Sequence, residues 1–316
     1  MAAPKKTGKS KKSKTKSKTP AVRYLRYELT NSGNANTETS HFIDLAKDLS
    51  AINRRLYRQG RDYHIRKVTV TSINTPNGGG RISISTVPDS WTARNAWKRG
   101  FDMWRKQRTD ATTLTNAKPG KFDDFKVHLS DDGRQATLLK PKDNGGNEVV
   151  VGEWNYATLH TPDGTTSADA FTLHMLGAHV GSAGSRTSVG LIQSYGDSRT
   201  TVDTFSPNLP ASADDDPLLN LFDDGTHVDE VMQEIRDEND QPPYDATLYA
   251  GEGGNMPKPL VCQTGAFNEG RVVLGGFNAI CGLLEIEAQS ALQNDVYEVL
   301  VELAPGNYRG VAADVI

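Results

Sequence analysis

The side chains with the clearest chemistry in this chain are eight lysines that lie within its first twenty residues. They alternate with serine, threonine, glycine and proline, and no acidic residue lies among them. The lysines are Lys5, Lys6, Lys9, Lys11, Lys12, Lys14, Lys16 and Lys18. A segment without sizeable apolar side chains has nothing to offset the entropy of ordering it. We therefore predict that residues 1–20 form a disordered polycationic arm whose partner is a polyanion.

Five arginines carry the positive charge from the arm into the part of the chain that we expect to fold. Arg23 and Arg26 lie on a predicted strand with the sequence VRYLRYELT. Arg54, Arg55 and Arg58 lie toward the end of a predicted helix. Two explanations of these last three stay open. They could contact nucleic acid, or they could simply complement the negative end of the helix dipole.

The charge is strongly polarised along the 316 residues. Residues 1–109 carry 24 Lys and Arg against 7 Asp and Glu, whereas the remainder carries 12 against 32. One end of the chain is therefore suited to meet negative charge and the other is not. We assign the chain to two parts, the arm and one large folded domain at residues 21–316.

The acidic residues are concentrated in one segment, residues 203–252, which contains 14 of them and a single base, Arg236. We predict a surface excursion between strands, on the side away from the arm. Its most metal-like cluster is Asp214, Asp215 and Asp216, since hard oxygen ligands suit Ca²⁺. A solvated acidic loop is the alternative, and a calcium ion bound there would take ligands from two subunits.

Motifs for catalysis are missing. The sequence contains no GxxxxGK[ST] phosphate loop, no GxGxxG, no HExxH and no GxSxG. The seven histidines are scattered, and the spacing of His174 and His179 would place them on opposite faces of an unbroken strand. We predict that the protein is not an enzyme and holds no cofactor. A glycosidase-like carboxylate pair stays open, because its separation lies in space and not in sequence.

Two stretches have the apolar spacing of a helix. The first contains Phe42, Leu45, Leu49, Ile52 and Leu56, with Ser40 as the predicted N-cap. The second begins near Ser90 and places Trp97, Phe101 and Trp104 on one face, with basic residues around the others. We expect these aromatic rings to pack in the core. Stacking on single-stranded bases is the alternative.

Alternating apolar residues predict strands at residues 65–73 and 82–84, joined into a hairpin at Asn77-Gly78-Gly79-Gly80. Turn signals recur between residues 122 and 175, and the runs between them are β-rich, among them residues 125–129 and 148–161. Further strands are predicted at residues 187–195, 260–267, 272–277, 282–287 and 296–303. About ten short strands indicate an all-β fold, a single jelly-roll antiparallel β-sandwich with inserted short helices.

The two cysteines, Cys262 and Cys281, have no metal-ligand spacing and apolar neighbours, so we predict reduced, buried thiols. No secretory signal and no membrane-spanning run is found in the sequence. The lysine run also has the composition of a nuclear import signal.

Three stretches carry a resemblance to a known family. They are KKTGKSKKSKTKSK at residues 5–18, YLRYEL at residues 24–29, and the segment from RKVTVTSI to SWTARNAWKRGFDMWRKQR at residues 66–108. The chain resembles the capsid proteins of circular, replication-initiator-encoding single-stranded DNA viruses, most of all the bacilladnavirus-like kind. That resemblance implies a nodavirus-like single jelly roll that assembles with copies of itself into an icosahedral shell. It also implies single-stranded DNA as the arm's partner, and a place in the virion and in the host nucleus during assembly.

Nodavirus-like coats often cleave themselves at an Asn-Ala bond. Asn278-Ala279 occurs here in a predicted turn between buried strands, and we expect no cleavage at it. Two other functions remain as alternatives. One is a nuclear nucleic-acid-binding protein that forms no virion, and the other is a carbohydrate-active enzyme or lectin on a jelly roll.

Overall fold

The computed structural model describes residues 20–72, 80–114, 124–162, 168–182, 185–200, 261–267 and 270–316. The eight lysines of the arm and the acidic segment with Asp214, Asp215 and Asp216 lie outside these residues. The described part is mostly β-structure in largely antiparallel sheets with few helices, as the sequence predicts. Within it, no helix is both long enough and apolar enough to cross a membrane.

The first half of the chain contains β1 (Tyr24–Thr30), β2 (Thr39–Asp44), α1 (Leu45–Asn53), β3 (Arg61–Ser72), β4 (Arg81–Thr86), α2 (Trp91–Leu114) and α3 (Asp131–Gln135). There follow β5 (Thr158–Pro162), β6 (Ala168–His174), β7 (Val180–Ser182), β8 (Ser185–Gly190) and α4 (Leu191–Thr200). The last part contains β9 (Val261–Ala266), β10 (Arg271–Leu274), β11 (Phe277–Ile280), β12 (Leu283–Gln289), β13 (Val296–Leu303), β14 (Pro305–Gly306), β15 (Gly310–Val311) and β16 (Ala313–Val315).

Ten of these strands form two large sheets. The first has the order β1-β13-β3-β10, with β11 and β16 also paired to β3, and the second has the order β2-β12-β4-β9. A third sheet, β5-β6-β8-β7, belongs to the long insertion between β4 and β9. The strands of the two large sheets therefore come from both ends of the chain, and the insertion connects β4 of the first part to β9 of the last part.

The main core lies between the two large sheets, because their strands alternate apolar and polar residues. In β13, Tyr297, Val299 and Val301 are buried, and in β1 the residues Leu25 and Tyr27 are buried. Strands β2, β4 and β12 of the second sheet contribute isoleucines and leucines to the same cluster. Each such side chain stabilises the fold by about 1.5–3 kcal/mol on leaving water.

A second apolar cluster lies beneath α2 and the insertion. Trp97 stacks on Phe101 with ring centroids 5.4 Å apart, and Phe101 packs edge-on against Phe125 at 5.9 Å. Trp104 contacts Phe125 at 5.7 Å. The predicted apolar face of this helix is thus confirmed as core packing. Trp97 is buried in this cluster, and Phe101 and Trp104 are partly buried against it.

Helix α1 begins later and ends earlier than predicted. Its N-cap is Asp44, whose carboxylate accepts a hydrogen bond from the Lys47 amide at 3.1 Å. Ser40 and Phe42 instead lie in β2, which pairs with β12, while Leu56 follows the helix. The prediction of Ser40 as the cap is wrong because Phe42, a buried residue of β2, happened to continue the helical spacing.

The predicted hairpin between residues 65–73 and 82–84 is also wrong. Both strands exist, as β3 and β4, but they belong to different sheets and take their partners from the last third of the chain. The turn itself, at residues 77–79, lies outside the described residues. Distant strands compete for the same backbone groups, and a local turn signal does not reveal them.

The insertion contains less strand than predicted. In place of a strand at residues 125–129 there is an isolated β-bridge at His128. Ser130 then caps α3, because its hydroxyl oxygen accepts a hydrogen bond from the Gly133 amide at 3.2 Å. The run at residues 148–161 is a strand only from Thr158 onward. The predicted strand at residues 187–195 divides into the end of β8 and the start of α4.

Cys281 is a buried free thiol, as predicted, and burial raises its pKa well above the usual value. It adopts a positive φ of 60° in the turn between β11 and β12. Asn278 lies inside β11, not in a turn as predicted from the sequence. Its amide oxygen accepts a hydrogen bond from His64 Nδ1 at 2.6 Å.

Candidate nucleic-acid interface

The point at which the chain enters the folded domain is held against the end of α1. The Asn53 side chain accepts from the Val22 amide at 2.7 Å and donates to the Val22 carbonyl at 3.0 Å. Arg55 Nη1 donates to the Pro20 carbonyl at 3.1 Å. Pro20, the first described residue, therefore lies at this end of α1.

The arginines predicted to bind nucleic acid follow that same end of the helix. Arg54 takes the left-handed conformation that ends α1, with φ 51° and ψ 41°, and its amide donates to the Ser50 carbonyl. Arg54, Arg55 and Arg58 are all exposed. The backbone turn thus presents three exposed arginines close to Pro20, the first described residue.

Two further arginines join them, and the sequence had not indicated either one. The Arg61 guanidinium lies over the Tyr308 ring at 4.2 Å, and that of Arg309 lies 5.7 Å from the same ring. Arg309 Nη1 also donates to the Leu56 carbonyl, across 253 residues of sequence. We call Arg54, Arg55, Arg58, Arg61 and Arg309 the basic rim.

Tyr308 contacts three arginines of the basic rim, Arg58, Arg61 and Arg309. Its hydroxyl accepts from the Arg58 amide at 3.1 Å, and its ring meets the Tyr57 ring edge-on at 5.8 Å. A cation over an aromatic face is stabilised by about 0.5–2 kcal/mol, so the ring partly offsets the mutual repulsion of the arginines.

The two arginines of β1 have different surroundings. Arg26 forms an ion pair with Glu298 of β13, so its charge is already matched within the sheet. Arg23 is half-buried and directly follows Val22, which Asn53 holds at the end of α1. Arg23 therefore adjoins the basic rim, whereas Arg26 is a weaker candidate for contact with phosphate.

Two buried carboxylates belong to this part of the fold, Asp44 as the N-cap of α1 and Asp48 within the helix. Tyr27 donates its hydroxyl proton to Asp48 Oδ2 at 2.6 Å, and burial raises the pKa of Asp48 to about 8. Asp48 is therefore largely protonated at neutral pH and leaves the positive field of the arginines undiminished. Burial likewise raises the pKa of Asp44.

Asp44 fastens the insertion to the sandwich. In addition to capping α1, its Oδ2 accepts from Gln59 Nε2 at 2.8 Å, Trp154 Nε1 at 3.0 Å and the Tyr156 hydroxyl at 3.2 Å. Gln59 in turn accepts from the Val127 amide at 2.6 Å. The segment that carries Arg54, Arg55 and Arg58 is thus supported from below by a connected polar network.

An acidic neighbour lies at the far side of the rim. Asp314 of β16 pairs in register with Asp62 of β3, the strand that begins at Arg61. Asp62 is buried and accepts from Arg94 Nη2 at 3.0 Å. Because Asp314 is exposed, it sets a limit to the positive surface on that side.

His174, one of the two histidines that lie five residues apart, is held by hydrogen bonds inside the insertion. His174 is fully buried, with Nδ1 2.7 Å from Ser188 Oγ and Nε2 3.0 Å from the Ala178 carbonyl. Burial lowers the pKa of both His174 and His128 to about 4. No group of three or more potential metal ligands is found within the described ranges, which do not include Asp214, Asp215 and Asp216.

Comparison with protein-family models, with curated proteins and with solved structures found no match to this chain.

Proposed function

We propose that the protein is a viral coat protein with a single jelly-roll fold, which assembles into an icosahedral shell and packages single-stranded DNA. The observation that carries the proposal is the pairing of eight strands of the two large sheets, which are, in chain order, β1, β2, β3, β4, β9, β10, β12 and β13. The first strand pairs with the last, the second with the seventh, the third with the sixth and the fourth with the fifth. A long antiparallel hairpin that rolls up into two sheets acquires this order, which is that of the jelly roll in capsid and lectin domains.

The place where the folded domain begins supports nucleic acid as the partner. Pro20 and Val22, which follow the lysine-rich residues in sequence, are held at the end of α1 by Arg55 and Asn53. Positive charge on the arm and positive charge on the domain can therefore act on one polyanion. A site that neutralises phosphates without reading bases needs charge and reach, and the low complexity of the arm fits that requirement.

The mechanism is release of the counterions that surround a nucleic acid. Each phosphate neutralised on a single strand contributes about −0.7 to the slope of log affinity against log salt concentration. Full engagement of the arm's eight lysines gives a slope of about −6. A slope near zero for the isolated arm peptide would contradict the proposal.

Assembly is tested by electron microscopy and size-exclusion chromatography of the purified protein. Closed shells support a coat protein and argue against both alternatives. Monomers or dimers that bind DNA would instead favour the nuclear nucleic-acid-binding protein. Saturable binding or cleavage of a carbohydrate, with no shells, would favour the enzyme or lectin. Deletion of residues 1–20 should leave shells that assemble but contain no DNA.

The contribution of the basic rim is tested separately with a matched pair of triple variants. The first replaces Arg54, Arg55 and Arg58 with glutamine, and the control replaces Lys98, Arg105 and Lys106, which are exposed on α2. The rim variant should lose about 2 from the magnitude of the salt slope, since three phosphate contacts disappear. Equal losses in both variants would show that the rim has no special role.

A further inference from the structure

An open cavity of about 210 Å³ lies between α2, α4 and the third sheet, away from the basic rim. Its lining residues are Ala96, Arg99, Gly100, Met103, Leu159, Phe171, Leu173, Val189, Leu191 and Ser194. Four elements besides α2 contribute to it, namely β5, β6, β8 and α4. The cavity thus belongs to the insertion, and no step of the proposed packaging mechanism uses it.

The walls of the cavity differ from its mouth. Ala96, Gly100, Leu173 and Leu191 are buried and form the floor. Gly100 permits the close approach of the two helices there, because a Cβ atom on it would lie 2.9 Å from Leu191 Cδ2. Arg99 and Met103 are exposed and mark the opening to solvent, with 53% of Met103 accessible.

The lining of the cavity carries one charge. Arg99 is the one charged side chain among the described residues that line the cavity, and the other polar one is Ser194. An apolar floor with a single cation at the rim matches a ligand that has an apolar body and one anionic group. The cavity is somewhat larger than the engineered cavity of about 150 Å³ that holds benzene in another protein.

We propose that this cavity binds a small amphipathic anion, a short acyl chain or a single aromatic ring that carries one carboxylate. The apolar body occupies the floor between Gly100, Leu173 and Leu191, and the carboxylate pairs with the Arg99 guanidinium. A charge-assisted hydrogen bond between guanidinium and carboxylate is about twice as strong as a neutral one, so Arg99 selects the anion over the corresponding alcohol. This inference does not depend on the proposed coat function.

The probe is octanoate, and binding is measured by equilibrium dialysis, which works whether or not the protein assembles. We expect saturation near one octanoate per chain, both in the full chain and after deletion of residues 1–20. Arg99→Gln should weaken binding roughly tenfold. Lys98→Gln removes the same charge from the next residue, which is exposed but does not line the cavity, and should leave binding unchanged.

A third variant tests the cavity itself. Ser194→Phe places a ring in the cavity from α4 and should abolish saturable binding of octanoate. It should also abolish any binding of 1-octanol, because the ring fills the space that a neutral ligand would occupy. Three results would overturn the proposal: no saturable binding to the wild-type chain, equal losses in Arg99→Gln and Lys98→Gln, or unchanged binding to a folded Ser194→Phe variant. If Ser194→Phe does not fold, the comparison of the two charge variants still decides.

Discussion

Asp48 should make the stability of this protein fall as the pH rises, which is the opposite of the effect of an ordinary salt-bridged carboxylate. Its side chain is fully buried, accepts one hydrogen bond from Tyr27, and has a pKa raised by burial to about 8. In the unfolded chain the same group has a pKa of about 3.9. The folded state therefore retains a proton that the unfolded state releases between these two values.

The size of the effect follows from linkage. Within this window each pH unit reduces the free energy of unfolding by about 1.4 kcal/mol, so Asp48 alone accounts for a loss of about 4 kcal/mol between pH 5 and pH 8. Asp48→Asn removes the titrating group but keeps an oxygen that can accept from Tyr27. The free energy of unfolding of the variant, measured relative to that of the wild-type protein, should therefore rise by about 4 kcal/mol from pH 5 to pH 8.

The assay is urea unfolding at pH 5, 6.5 and 8, followed by tryptophan fluorescence. The quantity to compare is the difference between wild type and variant, because contributions from other titrating groups cancel in it. Asp110→Asn, an exposed substitution on α2, is the control and should give a constant difference. A difference for Asp48→Asn that stays constant from pH 5 to 8 would refute the assignment of a buried, protonated carboxyl.

Three further predictions concern the packing that supports the basic rim and the insertion. Asp44→Ala leaves the buried donors of the network without an acceptor and should lower the free energy of unfolding by about 3–5 kcal/mol in urea titrations, more than Asp44→Asn does. Burial lowers the pKa of His128 and His174 to about 4, whereas histidine in an unfolded chain has a pKa near 6.5. Each contributes stability that is complete above pH 6.5 and is lost as the pH falls toward 4, so replacing His174 with glutamine should flatten the acid limb of the urea midpoint plotted against pH. Gly60→Ala puts a Cβ atom 2.6 Å from Trp97 Cη2 and should lower the thermal midpoint by an amount equivalent to about 1–3 kcal/mol, while an unchanged midpoint would show that the indole moves freely.

The sequence alone determined the elements whose signal is local. Strand β13 was predicted at its correct position because Tyr297, Val299 and Val301 fall on one face and Glu298 and Glu302 on the other, and alternation is a property of neighbouring residues. Helix α2 was predicted for the same reason, from the spacing of Trp97 and Phe101. Positive charge at Arg54, Arg55 and Arg58 could likewise be read directly.

Tertiary structure alone decided which strands pair. The expected hairpin of β3 and β4 does not form, since β13 and β12 supply their partners from more than 190 residues away along the chain. Long-range pairing depends on which backbone edges remain available once the whole sandwich closes. No local turn signal contains that information.

The same division applies to the candidate interface. Arg61 joins the basic rim only because its guanidinium meets the Tyr308 ring, and Arg309 only because it reaches the Leu56 carbonyl across 253 residues. The neutral state of Asp48 also depends on burial, so a sequence count of charges assigns it a negative charge that the fold suppresses. The sequence specifies residue types and their local spacing directly, whereas proximity and desolvation arise only on folding. Proximity and desolvation set the electrostatics of the surface.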